Sequence, residues 1–259
     1  MKNDYLNTKI GIVSDMIIES KKLVVFTGAG VSTESGIPDF RSPGGIWSKF
    51  DPDDFTIEKF LYSPETREKQ WKILIEGGIF ANAQPNQAHL SIAELEKLDK
   101  LDCVITQNVD NLHQKAGNSP EKVIELHGNM RWVECLGCNE RYPVEDIVQR
   151  SKKGEGVPDC EECHGILKPD VVFFGEALPE EALQKATYHS CHCDLLISIG
   201  SSLAVYPAAY MPLYAKGAGA KLVIINIGDT SCDSSADIVI NGKAGEVMGR
   251  ILDKVREKL

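Results

Sequence analysis

Cys135-x-x-Cys138 and Cys160-x-x-Cys163, separated by residues 139–159, offer four thiols in two knuckles. Thiolates paired this way close tetrahedrally on zinc. A ligand set with no histidine or carboxylate leaves no open position, so the expected site is structural. The spacer is slightly longer than the commonest ribbon range, which matters little because loop closure costs grow slowly with length. Chance proximity of buried thiols, or two disulfides, are the competing readings. His164, beside Cys163, reads as a surface residue. A second group, His189, Cys191, His192 and Cys193, runs from a helix end into an apolar strand. Successive side chains there diverge, so no second metal site is expected. Cys103 and Cys232 read as small buried hydrophobes.

A glycine turn, Gly28-Ala29-Gly30-Val31-Ser32-Thr33, follows the apolar run 23–27. Such a turn lets backbone N–H groups approach a diphosphate. It departs from the dinucleotide fingerprint, because Thr33 holds the place of the third glycine and the next glycine is Gly36. No acidic residue about 20 positions on clearly ends a second strand, so ribose recognition must differ from that of an ordinary dehydrogenase.

Polar side chains collect at the ends of other apolar runs. Residues 103–106 lead into Gln107, Asn108, Val109 and Asp110, and residues 123–126 into His127-Gly128. Residues 195–199 end at Gly200-Ser201-Ser202, and residues 222–225 at Asn226. Any one of these could cap a turn. Ligands of open α/β sheets bind beyond the carboxyl ends of strands, so together these ends point to one cleft.

The elements that must position these groups follow from the apolar pattern. Runs at 23–27, 103–106, 123–126, 171–173, 195–199, 222–226 and 237–240 lack period-2 alternation, as strands covered on both faces do. Helical patterns at 87–98, 180–189, 207–216 and 245–258 separate several of them, after an amphipathic N-terminal stretch. That alternation predicts a doubly wound parallel α/β sheet. Residues 42–80, helical and loop-rich, and 130–168, with the four cysteines, break the rhythm and read as insertions forming a smaller module. The 259 residues carry 28 Lys plus Arg against 38 Asp plus Glu, a net charge of −10. A direct nucleic-acid partner, which needs a basic footprint, is not expected. A cationic substrate suits that charge. The uncharged run 195–215 holds Gly200 and two prolines and reads as strand, loop and helix, with no membrane association expected. The opening segment is broken by charge and has no signal-peptide pattern, so a cytoplasmic location is expected.

Taken together, GAGVS (28–32), GIPDFR (36–41), TQNVDNLH (106–113), HG (127–128), the two CxxC pairs, PDVVFFGE (169–176), GSSLAVYP (200–207), Asn226 and GKAGEV (242–247) resemble the sirtuins, NAD-dependent protein-lysine deacylases. The resemblance extends from about residue 20 to residue 250, with the motifs in the family's order.

The resemblance implies a Rossmann-like NAD-binding domain of residues 1–41, 81–129 and 169–259. The helical insertion 42–80 and the zinc-binding module 130–168 would together form the small domain, with NAD consumed as co-substrate and one structural Zn. By resemblance the diphosphate lies on Gly28, Ala29, Gly30, Ser32 and Thr33, with Arg41 adding a charged contact. Gly200, Ser201, Ser202, Asn226 and Ala244 would line the adenosine side. Asp39, Phe40, Gln107, Asn108, Val109 and Asp110 would surround the nicotinamide ribose. In the family's chemistry the acyl oxygen attacks C1′ as nicotinamide leaves, and a base then activates a ribose hydroxyl. His127 stands in the base's position, and a histidine titrating near neutrality suits that role. Asn108 would orient water and a ribose hydroxyl. Products would be free lysine, nicotinamide and 2′-O-acyl-ADP-ribose. An acyl-lysine peptide would add as a strand between Phe174-Gly175-Glu176 and Leu203-Ala204-Val205, its side chain entering an apolar tunnel by Val171 and Phe174. The oligomeric state is left open.

Two positions depart from the family pattern. Asn111 replaces a usual Gly, and Asn tolerates left-handed backbone better than most residues. The Tyr-x-x-Arg pair of members preferring acidic acyl groups is missing from 42–80, where Tyr62 is followed by Glu65 and Arg67 lacks a Tyr partner. Acetyl or longer apolar groups are therefore expected over succinyl or malonyl. Mono-ADP-ribosyl transfer and a non-catalytic NAD-sensing adaptor are the alternatives. His113 and His89 are expected to serve packing and a helix start.

Overall fold

Residues 2–75 and 82–259 of a computed structural model are described here. Residues 76–80 of the expected insertion and residues 1 and 81 of the expected large domain lie outside them.

Helix α1 (Lys2–Glu19) leads into β1 (Leu23–Thr27), whose five residues are all buried, and then a 3-10 helix (Ala29–Ser35). Helices α2 (Ile57–Tyr62), α3 (Pro64–Ile75) and α4 (Gln87–Lys97) precede β2 (Leu101–Thr106), α5 (Leu112–Ala116) and β3 (Val123–Glu125). Then come β4 (Gly128–Cys135), β5 (Arg141–Pro143), α6 (Val144–Arg150), β6 (Leu167–Val171) and α7 (Glu180–His192). The chain closes with β7 (Leu195–Ile199), α8 (Tyr210–Gly217), β8 (Lys221–Asn226), β9 (Ile238–Asn241) and α9 (Ala244–Lys258).

Among the described residues six strands form one sheet in the order β3-β2-β1-β7-β8-β9, every neighbouring pair parallel. The order runs outward in both directions from β1 and β7, so the switch point lies between their carboxyl ends, where doubly wound sheets bind ligands. Val25, Val104, Ile197 and Val223 pack against α1, α4 and α9 on one face; Val24, Phe26, Ile105 and Leu196 pack against α7 and α8 on the other. Burial on both faces is why these strands carry no alternation. Helix α9 buries Val247, Met248, Ile251, Leu252 and Val255, one apolar stripe at helical spacing. Among the described residues no helix is long and apolar enough to cross a membrane.

One expected strand falls elsewhere. The run at 171–173 does not join the large sheet: β6, ending at Val171, pairs antiparallel with β4 in a separate sheet ordered β5-β4-β6. Pro169 and the following turn allow only a short extended segment, and an apolar triplet does not say which sheet it joins. This sheet and α6 occupy residues 128–171, two before and three beyond the expected module 130–168. Trp71 of α3 is buried with Val133, Ile147 and Leu167, so insertion and cysteine-bearing sheet share one core.

Candidate active site

Gly28 and Gly30 do more than expose N–H groups. Their own N–H groups donate to the carbonyls of Ile199 (3.2 Å) and Gly200 (2.8 Å), so the turn after β1 is laced to the turn after β7. A Cβ on Gly30 would stand 2.8 Å from the Gly200 carbonyl oxygen, and one on Gly200, at φ +63, would stand 2.2 Å from the Val31 nitrogen. The glycines are required by this backbone approach at the switch point.

A cavity of about 370 Å³ opens over that crossing. Gly28, Ala29, Gly30 and Thr33 line it from β1, Gly200, Ser201 and Ser202 from β7, Gln107 and Asn108 from β2. His127, Asn226, Ala244 and the insertion-side residues Asp39, Phe40 and Arg41 also line it, whereas Ser32, Val109 and Asp110 of the expected nucleotide-binding set do not. Arg41 donates to the Ser202 hydroxyl (2.9 Å), and Gln107 to that of Ser201 (2.8 Å), tying the walls together. Ile227, Gly228, Asp229 and Gly242 also line it; they were not expected, though each lies close in sequence to Asn226 or Ala244.

A second cavity, of about 350 Å³, runs toward the smaller sheet. Ser32, Val109, Asp110, Val171, Phe174, Gly175 and Glu176 line it. Its apolar walls include Ile46, Trp47, Phe50 and Phe55, which sequence reasoning passed over. Their signal was an aromatic-rich stretch without helical or strand period; Trp47 packs against Phe40, Phe55 and Phe174. Val205 touches both cavities. Leu203 lines neither: its side chain is 1% exposed within the core below α8, its N–H donates to Ser201 and its carbonyl accepts from Ser231. Phe174 already pairs through N–H and carbonyl with Phe55 and Ile57.

The two cavities meet along Ala29, Phe40, Arg41, Gln107, Val205, Asn108 and His127. Asn108 is 8% exposed, and its amide donates to the Gly28 carbonyl (3.2 Å) and the Ser32 hydroxyl (3.1 Å). Ser32 in turn donates to Asp110 Oδ2 (2.7 Å), whose other oxygen accepts from the Leu112 N–H. Asn111 takes φ +61 as the first residue leading into α5, the left-handed conformation expected of it. His89 caps α4 through Asn86, and His113 is buried against the Thr27 hydroxyl, as expected of both.

His127 Nδ1 stands 2.9 Å from the Gln107 carbonyl oxygen. A carbonyl only accepts, so Nδ1 carries the hydrogen and Nε2 presents a lone pair. Burial pushes the imidazole below its ordinary 6.5, and the Gln107 contact opposes this less strongly. Next to it, Gly128 at φ +71 leaves no room for a Cβ, which would fall 2.1 Å from the Asp170 carbonyl oxygen. That approach lets the Val172 N–H bond the His127 carbonyl (2.9 Å) and fixes the histidine between the two sheets.

The model of the Sir2 family matches residues 28–207. The chain belongs to the Sir2 family. It is 45% identical over 260 residues to NAD-dependent protein deacetylase 1 of Pyrobaculum aerophilum, covering 100% of both chains. It is 47% identical over 246 residues to NAD-dependent protein deacetylase 1 of Bradyrhizobium diazoefficiens, covering 94% of this chain and 95% of that one. Among solved structures it superimposes with a TM-score of 0.88 on a Sir2 enzyme studied for mechanism and regulation, at 43% identity over 97% of this chain and 99% of the other. A second, at TM-score 0.83 and 42% identity, covering 92% and 95%, is a Sir2 complex with a p53 peptide and NAD+.

The four expected zinc ligands of this Sir2-family chain converge. Cys135, Cys138, Cys160 and Cys163 hold their sulfurs within 4.8 Å of one another, with Cys135–Cys163 at 3.4 Å and Cys138–Cys160 at 3.6 Å. Those separations are far beyond a disulfide and close to the about 3.8 Å between thiolates around one tetrahedral zinc with about 2.3 Å bonds. Gly137 and Gly165 make room, since a Cβ on either would press on the sulfurs at 3.0–3.2 Å. The Tyr142 hydroxyl lies 3.2 Å from Cys160 Sγ. The donor set fits structural zinc.

Proposed function

We propose that this protein removes acyl groups from protein lysines at the expense of NAD, releasing nicotinamide and an O-acyl-ADP-ribose. The observation carrying this reading is that Asn108 and His127 sit at the seam of a polar cavity over the switch point and an apolar one beside it. When bound, NAD supplies an electrophilic ribose carbon and nicotinamide as leaving group.

The residues divide the work accordingly. Gly28, Ala29, Gly30, Thr33 and Arg41 hold the diphosphate, while Ser201, Ser202, Asn226 and Ala244 hold the adenosine half. Asp110, which accepts from the Ser32 hydroxyl that Asn108 in turn bonds, orients the nicotinamide end. His127 Nε2 accepts a ribose hydroxyl proton, and Gln107 keeps the opposite nitrogen protonated. Phe174 and Val171 guide the apolar acyl-lysine, and Trp47 and Phe55 help exclude water. The cysteine centre holds β4 to β6, and β4 begins at the residue after His127.

We place the protein in the cytoplasm, because eight cysteines without a disulfide suit a reducing compartment. Mass spectrometry of an acetyl-lysine peptide turned over with isotopically labelled NAD tests the function. Equal amounts of nicotinamide, free peptide and acetyl-ADP-ribose are expected. Labelled ADP-ribose attached to protein would instead make it a transferase, and no nicotinamide release would make it a binding protein.

A further inference from the structure

The side chains of His189, Cys191, His192 and Cys193 diverge. His192 stacks on Tyr188 and bonds that residue's carbonyl, Cys191 is exposed, and Cys193 donates to the Ser190 carbonyl. His189 turns a different way. Its Nδ1 lies 2.6 Å from Asp102 Oδ2, and with Cys103 the three donor atoms fall within 4.8 Å of one another.

Adjacent strand residues such as Asp102 and Cys103 should point to opposite faces. Here they do not, because the register of β1 with β2 jumps: Leu23 faces Leu101 and Val24 faces Cys103, leaving Asp102 unpaired. The core confirms the slip. Leu101 and Val104 belong to the face carrying α1, α4 and α9, whereas Cys103 and Ile105 belong to the face carrying α7. The extra residue turns Asp102 to the Cys103 side, and bulges of this kind re-aim side chains. Helix α7 completes the set, since His189 follows buried Ala186 by three residues on the packed face. A bulge between parallel strands is uncommon and costs a ladder contact.

We propose that Asp102, Cys103 and His189 form a second metal site, for a divalent ion of the zinc class, at the end of the sheet opposite the candidate active site. One thiolate, one imidazole nitrogen and one carboxylate oxygen are the mixed donors such an ion accepts. Asp102 and His189 are 30% and 29% exposed, so the ion has an entry path and a fourth position for water, while Cys103 closes the inner side. Seating the ion moves the Asp102 and His189 donors apart from 2.6 Å to about 3.3 Å, as tetrahedral bonds of about 2.0–2.1 Å require. The thiol and Nδ1 protons leave to solvent. With three protein ligands and a buried thiol to deprotonate, the site binds more weakly than the four-cysteine centre.

Cobalt(II) titration of the full-length, zinc-replete protein tests this, with metal analysis and the near-ultraviolet thiolate-to-cobalt band as readouts. One cobalt per chain is expected in addition to the one zinc, with a thiolate band. Cys103→Ser should lose the band while keeping its zinc, and His189→Gln and Asp102→Asn, both at part-exposed sites, should weaken uptake at least about tenfold. The surface variants carry the test even if Cys103→Ser folds poorly. No uptake beyond the first zinc, a band surviving in Cys103→Ser, or a band lost in Cys193→Ser would overturn the proposal.

Discussion

His127 Nδ1 and the Gln107 carbonyl oxygen, 2.9 Å apart, determine which imidazole nitrogen is left to take a proton. The contact also joins two polar strand ends, Gln107 following β2 and His127 following β3. Burial keeps the ring neutral to lower pH than a solvated histidine. The acid limb of kcat/KM is therefore expected below pH 6.5, since the proposed role of His127 as base requires its neutral form. A limb above 6.5 in the free enzyme would mean that another group controls the rate.

The same burial has a consequence for stability. His127 and His113 titrate below 6.5 in the folded chain, and His89 is pushed down to about 4, each mainly by desolvation. Unfolded histidines take protons at about 6.5, so the unfolded state gains protons first as the pH falls. Stability should be full above pH 6.5 and decline from there toward about 4, the His89 value, by up to about 1.4 kcal/mol per pH unit for each histidine. Glu125, raised by burial, acts in the opposite sense near its own range. Urea midpoints across that window measure the slope; a midpoint unchanged from pH 7 to pH 5 would contradict it.

Gly200→Ala should be far more damaging than Gly219→Ala. Both glycines have positive φ, at +63 and +97, but only at Gly200 would the new Cβ meet backbone, 2.2 Å from Val31 N. Left-handed strain alone costs about 1–2 kcal/mol, and the forced shift of the glycine turn adds about 1–3 kcal/mol. Gly200→Ala should also raise the KM for NAD at least about tenfold, with little change for Gly219→Ala. Thermal unfolding and initial rates compare them.

An acetyl peptide should turn over faster than its succinyl counterpart. Tyr62 is 79% exposed and away from the apolar cavity, while the Arg67 guanidinium is held by the carbonyls of Phe60 and Leu61, both at 2.8 Å. Neither is positioned to meet an acyl carboxylate among Trp47, Phe55 and Val171. Burying that carboxylate without a partner costs several kcal/mol. Steady-state rates on matched peptides decide, and a faster succinyl peptide would refute the expectation.

Chelating zinc should loosen the smaller sheet before the larger one. Cys135 closes β4, Cys160 precedes β6, and Val133 and Leu167 share a small core with Trp71. Structural zinc contributes on the order of 10 kcal/mol of apparent binding free energy to such sites, more than so small a core supplies. Proteolysis within 130–168 and loss of deacylation should appear together, while far-ultraviolet signal from the six-stranded sheet persists.

Much of this architecture is legible in the residues. Doubly buried strands show as uninterrupted apolar runs, as Leu23 to Thr27 does, and four cysteines at knuckle spacing identify their own site. The apolar run at 171–173 misleads because its length and composition suit either sheet. A motif position does not reveal that the Leu203 peptide groups bond the Ser201 and Ser231 hydroxyls. The contact of Asp102 with His189 was illegible for a different reason. It depends on a one-residue register slip against β1, which no local pattern announces.

His127 at the seam of the two cavities is the proposed base of the reaction. Deacetylation of an acetyl-lysine peptide by His127→Ala, with NAD binding and zinc content checked in the same preparation, is the decisive measurement. We predict that the variant binds NAD and keeps its zinc but loses on the order of 10²–10⁴ in rate, the usual contribution of a positioned base. A folded His127→Ala protein deacetylating within a few-fold of the wild-type rate would contradict the account.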